Sequence, residues 1–307
     1  MKICPIAYQP CEGKYSEQGL KKLSQKLTRL NDFPYTAEEQ IRESTIRSGK
    51  MSIQGVQPKL SALLDLKEKT FRVVNTFGRY ILKPQHPMYP RLPENEDLTM
   101  RLAEASGIEV PFHGLIYCRD GSMTYFIKRF DRGSRKKRHP VEDFAQLLEL
   151  NRETKYEGSM EKVAGVLDRF STFPAIDKRS LFRLTLFNFL VGNEDMHLKN
   201  FSLLTKSAKV ELSPCYDLIN TTLVMGQPQE EIALPIQGKK NKLTRKVLVD
   251  YFGGERLGLS EKISARVLEE LQASLPKWEP LIHTSFLTEE MKAEYQHIIH
   301  ERADRLF

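Results

Sequence analysis

The sequence predicts an α+β fold of two lobes, a small β-rich N-lobe followed by a mostly helical C-lobe. Three observations predict it. Short apolar segments bounded by turn residues crowd into residues 59–129. Longer apolar or amphipathic segments dominate from residue 141 onward. A stretch around residues 128–135 that turns strongly basic separates the two regions, which divides the chain into 1–130 and 131–307.

Residues 1–50 are polar and weakly patterned. A helix is expected over 16–30 and another over 36–48, the second with Thr36 as N-cap and Glu39 at the capping-box position. Segments 59–66, 71–75 and 79–83 read as strands, with Phe77-Gly78 as a turn. Segment 94–105 reads as a helix that Gly107 ends. Segments 115–118 and 124–129 form a hairpin around Arg119-Asp120-Gly121. In the second lobe, helices are expected over 141–150, 160–170, 177–191, 244–251, 261–274 and 287–305. A hairpin of 201–204 and 209–212 lies between them.

Composition excludes several classes. With 40% hydrophobic and 28% charged residues the chain is neither disordered nor fibrous. No run reaches the roughly 18 apolar residues of a membrane span. The longest apolar stretch, 181–191, carries Arg183 and Asn188 and suits a buried helix. Pro5, Pro10 and Glu12 stand where a signal peptide would be apolar. The scattered Cys4, Cys11, Cys118 and Cys215 read as reduced thiols of a cytoplasmic protein. The net charge of +7 is partly local, in Arg132, Arg135, Lys136, Lys137 and Arg138 and again in Lys239, Lys240, Lys242, Arg245 and Lys246. These runs are either solvated loops or contacts for an acidic protein or nucleic acid. No zinc-finger or RNP motif is present, so direct sequence-specific readout of nucleic acid is not expected.

The densest chemistry lies in Gly192-Asn193-Glu194-Asp195-Met196-His197-Leu198-Lys199-Asn200. This run follows an apolar segment that Asp177 would cap and Gly192 would end. A phosphoryl-transfer loop needs a carboxylate beside the acceptor hydroxyl and, a few residues later, an amide oxygen for a metal. Asp195 and Asn200 have the Asp-to-Asn separation of a protein-kinase catalytic loop. Lys199 would neutralise the transferring phosphate, and His197 would orient Asp195. A capped turn without chemistry would use the same residue types. Asp217, after the predicted hairpin, stands where a kinase places its magnesium ligand.

Lys83 ends an apolar strand, and a charge there needs a partner. Nucleotide phosphates would supply one, with Glu96 or Glu104 holding the lysine ahead of Glu94 or Asp97. Ser52-Ile53-Gln54-Gly55-Val56-Gln57-Pro58-Lys59 has one glycine and matches no established phosphate-loop pattern, although a turn before a strand can cradle phosphates. Lys128-Arg129-Phe130-Asp131 follows the last strand of the first lobe and suits adenine recognition, with Asp131 on the ribose; a salt-bridged loop is the plainer reading.

Together these residues resemble the HipA family of toxin serine/threonine kinases. The matching pieces are residues 52–60 with Ala62-Leu63-Leu64, Ile81-Leu82-Lys83-Pro84, Lys128-Arg129-Phe130-Asp131, Glu142-Asp143-Phe144, residues 192–201 and Tyr216-Asp217-Leu218. The order of Asp195, His197 and Asn200 is also similar to lipid kinases of the phosphatidylinositol type. The resemblance implies a bilobal protein-kinase-like fold, ATP and Mg2+ as cofactors, and a protein substrate. Asp195 would accept the proton, with His197 and Lys199 beside it. Asn200 and Asp217 would hold the metal, and Lys83 the α- and β-phosphates. Gln54, Gly55, Val56, Gln57 and Lys59 would cover the phosphates, and Lys128, Arg129, Phe130 and Asp131 would hold the nucleoside. Ser52 would be autophosphorylated.

A phosphate loop beginning near residue 52 is similar to HipT, the short kinase of three-component HipBST toxin–antitoxin systems. That resemblance implies a HipS-like small antitoxin, a HipB-like DNA-binding protein and an aminoacyl-tRNA synthetase as substrate. The N-terminus resembles a metal knuckle of short relatives, but Ala7, Ser16 and Gly19 stand near the other ligand positions. Cys4 and Cys11 alone are too few for zinc, so no zinc is expected. A pseudokinase-like binding module in a repressor complex and a small-molecule or lipid kinase remain as alternatives.

Overall fold

The computed structural model describes residues 2–47, 57–133, 137–150, 153–226 and 230–307. Ser52, Gln54, Gly55 and Val56 lie outside them, as do Arg135 and Lys136 of the first basic run. The chain divides into two compact units. One comprises residues 1–98, 111–136 and 283–287; the other comprises 99–110, 137–282 and 288–307. Among the described residues no helix is long and apolar enough to cross a membrane.

The first unit is built on one antiparallel sheet. Its strands are β3 (Leu60–Asp65), β4 (Thr70–Val73), β5 (Tyr80–Lys83), β6 (His113–Tyr117) and β7 (Met123–Lys128), in spatial order β4-β3-β5-β7-β6. A two-residue hairpin precedes it, β1 (Lys2–Ile3) against β2 (Pro10–Cys11). In β5, Leu82 and Lys83 are buried, and Lys83 stands opposite Tyr125 of β7. Strand β5 lies in the middle of the sheet, which is why a lysine at its end is taken out of water. Phe71, Tyr80 and Phe126 form an aromatic cluster over the sheet, with ring centroids 5.1–6.0 Å apart.

Two helices, α1 (Glu17–Leu23) and α2 (Ala37–Arg47), come before the sheet in the chain. The helix expected over 16–30 is half as long, because Ser24 turns to extended backbone. Leu27 and Leu30 are buried in the hydrophobic core of this unit without being helical. Ser16 caps α1 through its hydroxyl, 3.1 Å from Gly19 N. A Cβ on Gly19 would lie 2.7 Å from Cys4 Sγ. For α2 the expected capping box is present: Thr36 Oγ1 accepts from Glu39 N at 3.2 Å, and Glu39 Oε2 from Thr36 N at 2.8 Å.

The second unit is organised around α6 (Pro174–Val191), which is buried all round over Leu184–Val191. Against it pack α5 (Met160–Phe170), α8 (Glu261–Gln272) and α10 (Glu289–Leu306). A wide π-type helix spans Lys246–Arg256. A three-stranded sheet, β10 (Lys209–Leu212), β9 (Ser202–Lys206) and β8 (Val141–Asp143), supports the loop after α6.

Three expectations are corrected here. Residues 141–150 are not one helix: Val141–Asp143 pairs with β9, and Asp143 then caps the single turn α4 (Phe144–Leu147). A free edge of β9 outweighs local helix preference. Asp177 is not the N-cap of α6, which starts at Pro174; its buried carboxylate instead accepts from Ser171 Oγ at 2.6 Å and Leu212 N at 3.0 Å. Helix α9 (Leu275–Thr284) was not expected, because Pro276 and Pro280 argue against a helix. Burial of Trp278, whose indole donates to Ser106 Oγ at 3.0 Å, overrides that bias.

Candidate active site

The loop after α6 starts at a left-handed glycine. Gly192 has φ 70° and ψ 38°, a conformation open to glycine at little cost. A Cβ at this position would come within 2.7 Å of Thr222 Oγ1. The carbonyl of Gly192 accepts from the backbone N–H groups of Thr221 and Thr222, at 3.0 and 3.2 Å. Those residues open α7 (Thr221–Met225), which Asn220 caps. Glu194 N donates to Thr221 Oγ1 at 2.7 Å, and Glu194 Oε1 accepts from Thr222 Oγ1 at 2.6 Å. Arg302 of α10 stands 3.4 Å from the same carboxylate. Burial pushes Glu194 above the ordinary carboxylate range, against the pull of Thr222 and Arg302. The loop is thus anchored on its inner side by the residues just past Asp217.

On the outer side, Asp195 and Asn200 are locked to each other. Asn200 Nδ2 donates to Asp195 O at 2.8 Å, while Asp195 N donates to Asn193 Oδ1 at 3.1 Å. The amide of Asn200 is therefore oriented with its nitrogen inward, and its Oδ1 makes no hydrogen bond among the described residues. An amide oxygen held in this way is a hard ligand suited to Mg2+. The Asp195 carboxylate is about half exposed, at 48%. His197 is buried, with Nε2 3.9 Å from Asp195 Oδ1 and 2.7 Å from Lys155 Nζ. Burial holds the imidazole below its ordinary pKa, and the nearby carboxylate only partly offsets this. Lys199 is drawn to the N-cap carboxylate Asp143, 2.8 Å from Oδ2. Asp143 is therefore the partner that Lys199 has in this structure.

Asp217 has φ 56°, in the left-handed region that non-glycine residues seldom occupy. Its neighbour Tyr216 donates to Lys199 O at 3.2 Å and is also hydrogen-bonded to Ser202 Oγ. The strand-to-loop segment is thereby fastened to the end of the loop after α6. Among the described residues no cluster of three His, Cys, Asp or Glu side chains is placed to hold a metal. One Asp and one Asn, with phosphate and water completing the shell, would not form such a cluster. The donor set fits magnesium.

In the first unit, Lys83 Nζ lies 2.6 Å from Glu96 Oε1, with both side chains almost fully buried. Each acid of the helix α3 (Leu92–Ala105) that belongs to this unit has its own partner. Glu94 accepts from Gln85 and Arg91, Glu96 from Lys83, and Asp97 pairs with His113 at 2.8 Å. Glu104 is exposed. Of the two favoured candidates for the lysine, the fold selects Glu96. Lys128 N donates to Phe112 O and Arg129 N to Arg79 O, both at 2.8 Å, so neither N–H is open to a base. Arg129 grips Asp131 with two hydrogen bonds of 2.9 and 2.8 Å, and Arg132 adds a third contact at 3.1 Å. Burial raises the Asp131 pKa, but these two cations outweigh it and hold the carboxyl below its usual value.

Comparison with known proteins decides the family. Residues 51–278 match the HipA-like C-terminal domain. The chain belongs to that family. A Haemophilus influenzae protein whose name proposes a kinase is 28% identical over 94% of this chain and 92% of its own length. The serine/threonine-protein kinase toxin HipA of Shewanella oneidensis is 27% identical over 74% of this chain, which spans 56% of that protein. Among solved structures, HipA of Shewanella oneidensis, in a toxin–antitoxin complex with HipB and operator DNA, shares the fold. It has a TM-score of 0.67 at 22% identity and covers 91% of this chain and 72% of that one. The Helicobacter pylori proinflammatory kinase CtkA has a TM-score of 0.54 at 17% identity, over 74% and 86% of the two chains. The mixed helix-and-strand architecture expected from sequence is that of these proteins.

Several residues that hold the loop of this HipA-like chain carried no sequence signal. Tyr156 donates to Asp195 Oδ1, and Lys155 reaches His197. Thr221, Thr222 and Arg302 brace Glu194. All are common residue types at distant positions, and only the Lys155-Tyr156 pair precedes a recognisable helix start. The anchoring predicts an outcome for Gly192→Ala. The variant should lose about 1–2 kcal/mol from the left-handed backbone, and more if Thr222 is displaced. Chemical denaturation measures the loss. Activity should fall beyond the loss of folded protein, because Thr222 holds Glu194, the residue before Asp195.

Proposed function

We propose that this chain is an ATP- and magnesium-dependent serine/threonine protein kinase, acting as the toxin of a HipBST-type toxin–antitoxin system in the cytoplasm. The observation that carries the reading is the locked loop, in which Asp195 offers a half-exposed carboxylate while Asn200 is turned so that its amide oxygen has no internal partner among the described residues. In this reading Asp195 takes the proton of the acceptor hydroxyl as the γ-phosphate is transferred. Asn200 and Asp217 hold the cation, which when bound neutralises charge on the phosphates. Lys83, kept in place by Glu96, contacts the α- and β-phosphates. Gln57 and Lys59, with Gln54, Gly55 and Val56, cover the phosphates. Lys128 to Asp131 hold the nucleoside, through groups other than the N–H of Lys128 and Arg129. His197 supports the Asp195 side of the loop, and Lys199 meets phosphate only after leaving Asp143. Ser52 is the autophosphorylation site.

The family membership and the kinase names of the relatives support the transfer chemistry. The complex of Shewanella oneidensis HipA with HipB and operator DNA supports a toxin–antitoxin setting with a HipB-like partner, and the resemblance to HipT supports a HipS-like one. An aminoacyl-tRNA synthetase is the substrate we propose, on the resemblance alone.

The test is incubation of the purified chain with radiolabelled Mg-ATP and a bacterial lysate, followed by phosphopeptide mapping. Labelled seryl or threonyl peptides are expected, synthetase peptides among them, and chelation of magnesium should reduce labelling to background. Intact-mass measurement should find one phosphate on active protein, mapped to Ser52. Label confined to lipids or small molecules would favour the lipid- or small-molecule-kinase alternative. No label in any fraction would leave a pseudokinase-like binding module.

A further inference from the structure

The carboxylate of Asp195 and its backbone are held by different groups. Its backbone is fixed at both N–H and carbonyl, by Asn193 and Asn200. Its side chain is half exposed. An exposed aspartate samples several rotamers, whereas a proton acceptor has to stay within hydrogen-bond reach of one hydroxyl. Among the described residues, the hydrogen bond that holds this carboxylate comes from the phenol of Tyr156, which donates to Oδ1. Oδ2 carries no hydrogen bond among the described residues.

Tyr156 is itself held against the loop. Leu198 N donates to Lys155 O at 3.3 Å, and Lys155 Nζ lies 2.7 Å from His197 Nε2. The Tyr156 ring meets the His197 ring edge-on, with centroids 5.0 Å apart at 87°. Lys155 Nζ also lies 4.8 Å from the centre of the Tyr156 ring. Two residues further on, a Cβ on Gly158 would come within 2.9 Å of Leu198 Cδ1, so backbone and loop are in close contact there. Two consecutive residues thus grip three members of the loop, Asp195, His197 and Leu198, one through backbone and ammonium, the other through phenol and ring. Burial, and then the Asp195 carboxylate, push the phenol pKa up, so it stays protonated and donates.

We infer that Tyr156 is a positioning residue for phosphate transfer: its phenol pins Asp195 by Oδ1 and leaves Oδ2 to take the acceptor proton. This rests on the reading of Asp195 as proton acceptor. The alternative geometry, in which the phenol occupies the acceptor's own place and has to move aside, makes the opposite prediction.

Wild type, Tyr156→Phe and Asp195→Asn are compared as full chains. Initial rates of Mg-ATP hydrolysis and of self-phosphorylation are measured across ATP concentrations, with thermal unfolding alongside. Phe keeps the ring against His197 and removes only the hydroxyl, so the fold should hold. Losing one hydrogen bond to a charged group should lower kcat about tenfold, with KM for ATP within about twofold of wild type because Tyr156 is not placed on nucleotide. A kcat equal to wild type, or lowered only in proportion to a reduced folded fraction, would overturn the proposal. A raised kcat would overturn it too, and would mean that Tyr156 covers the acceptor position. If Asp195→Asn is as active as wild type, the reading of Asp195 as proton acceptor, on which this inference rests, fails. If Asp195→Asn is inactive and Tyr156→Phe is fully active, only the role of Tyr156 fails.

Discussion

Asp195→Asn is expected to leave the fold intact and to lower phosphate transfer by about 10²–10⁴-fold, the range for losing a positioned general base. The substitution is close to isosteric. An amide oxygen can still accept from Tyr156, and both backbone bonds of residue 195 are independent of its side chain. What is lost is the capacity to take a proton. Asn200 and Asp217 are untouched, so magnesium-dependent ATP binding should persist. Calorimetric titration with Mg-ATP and incorporation of labelled phosphate separate the two effects. Full incorporation by the variant would show that Asp195 is not the base, and loss of ATP binding would show that the loop had collapsed.

The second large effect concerns stability as well as activity. Lys83→Met should destabilise the protein by about 3–5 kcal/mol, the range for breaking a buried ion pair by removing one partner. Lys83 and Glu96 are exposed by only 3% and 1% and stand 2.6 Å apart. Tyr125 lies beside the ammonium, 5.7 Å from ring centre to Nζ, and offers no replacement charge. Adding Glu96→Gln to Lys83→Met removes the other charge of the pair and should recover most of the loss. It should not recover ATP affinity, since the lysine proposed to meet the phosphates is still gone. Urea unfolding of the two single variants and the double variant forms the thermodynamic cycle. If the double variant also recovers ATP affinity, the buried pair is structural and Lys83 does not serve the nucleotide.

Much of the fold was legible before the structure. Where a segment carries its own period and its own stop, the expectation and the structure agree. Helix α5 falls on the expected residues 160–170, α6 ends at Gly192 as a left-handed cap, and β9 and β10 form the expected hairpin. Local physics suffices there, because capping, alternation and glycine conformation act within a few residues. Expectations failed where a distant partner decided. Val141–Asp143 became a strand because β9 offered it an edge, and α9 formed in spite of two prolines because Trp278 had a buried place to fill.

The candidate site divides in the same way. Sequence alone supplied the residue types on which the proposal rests: Asp195 and Asn200 in one loop, Asp217 after the following hairpin, and a lysine at the end of an apolar strand. Residue type and separation along one short loop are properties of the chain itself. Tertiary structure alone decided which groups are engaged and which are open. It chose Glu96 over Glu104 for Lys83, gave Lys199 to Asp143, clasped Asp131 with Arg129 and Arg132, and brought Tyr156 onto Asp195. Those pairings join residues on different elements or select among equivalent neighbours. They follow from burial, where every charge or hydroxyl taken out of water must find the partner that the fold places within reach.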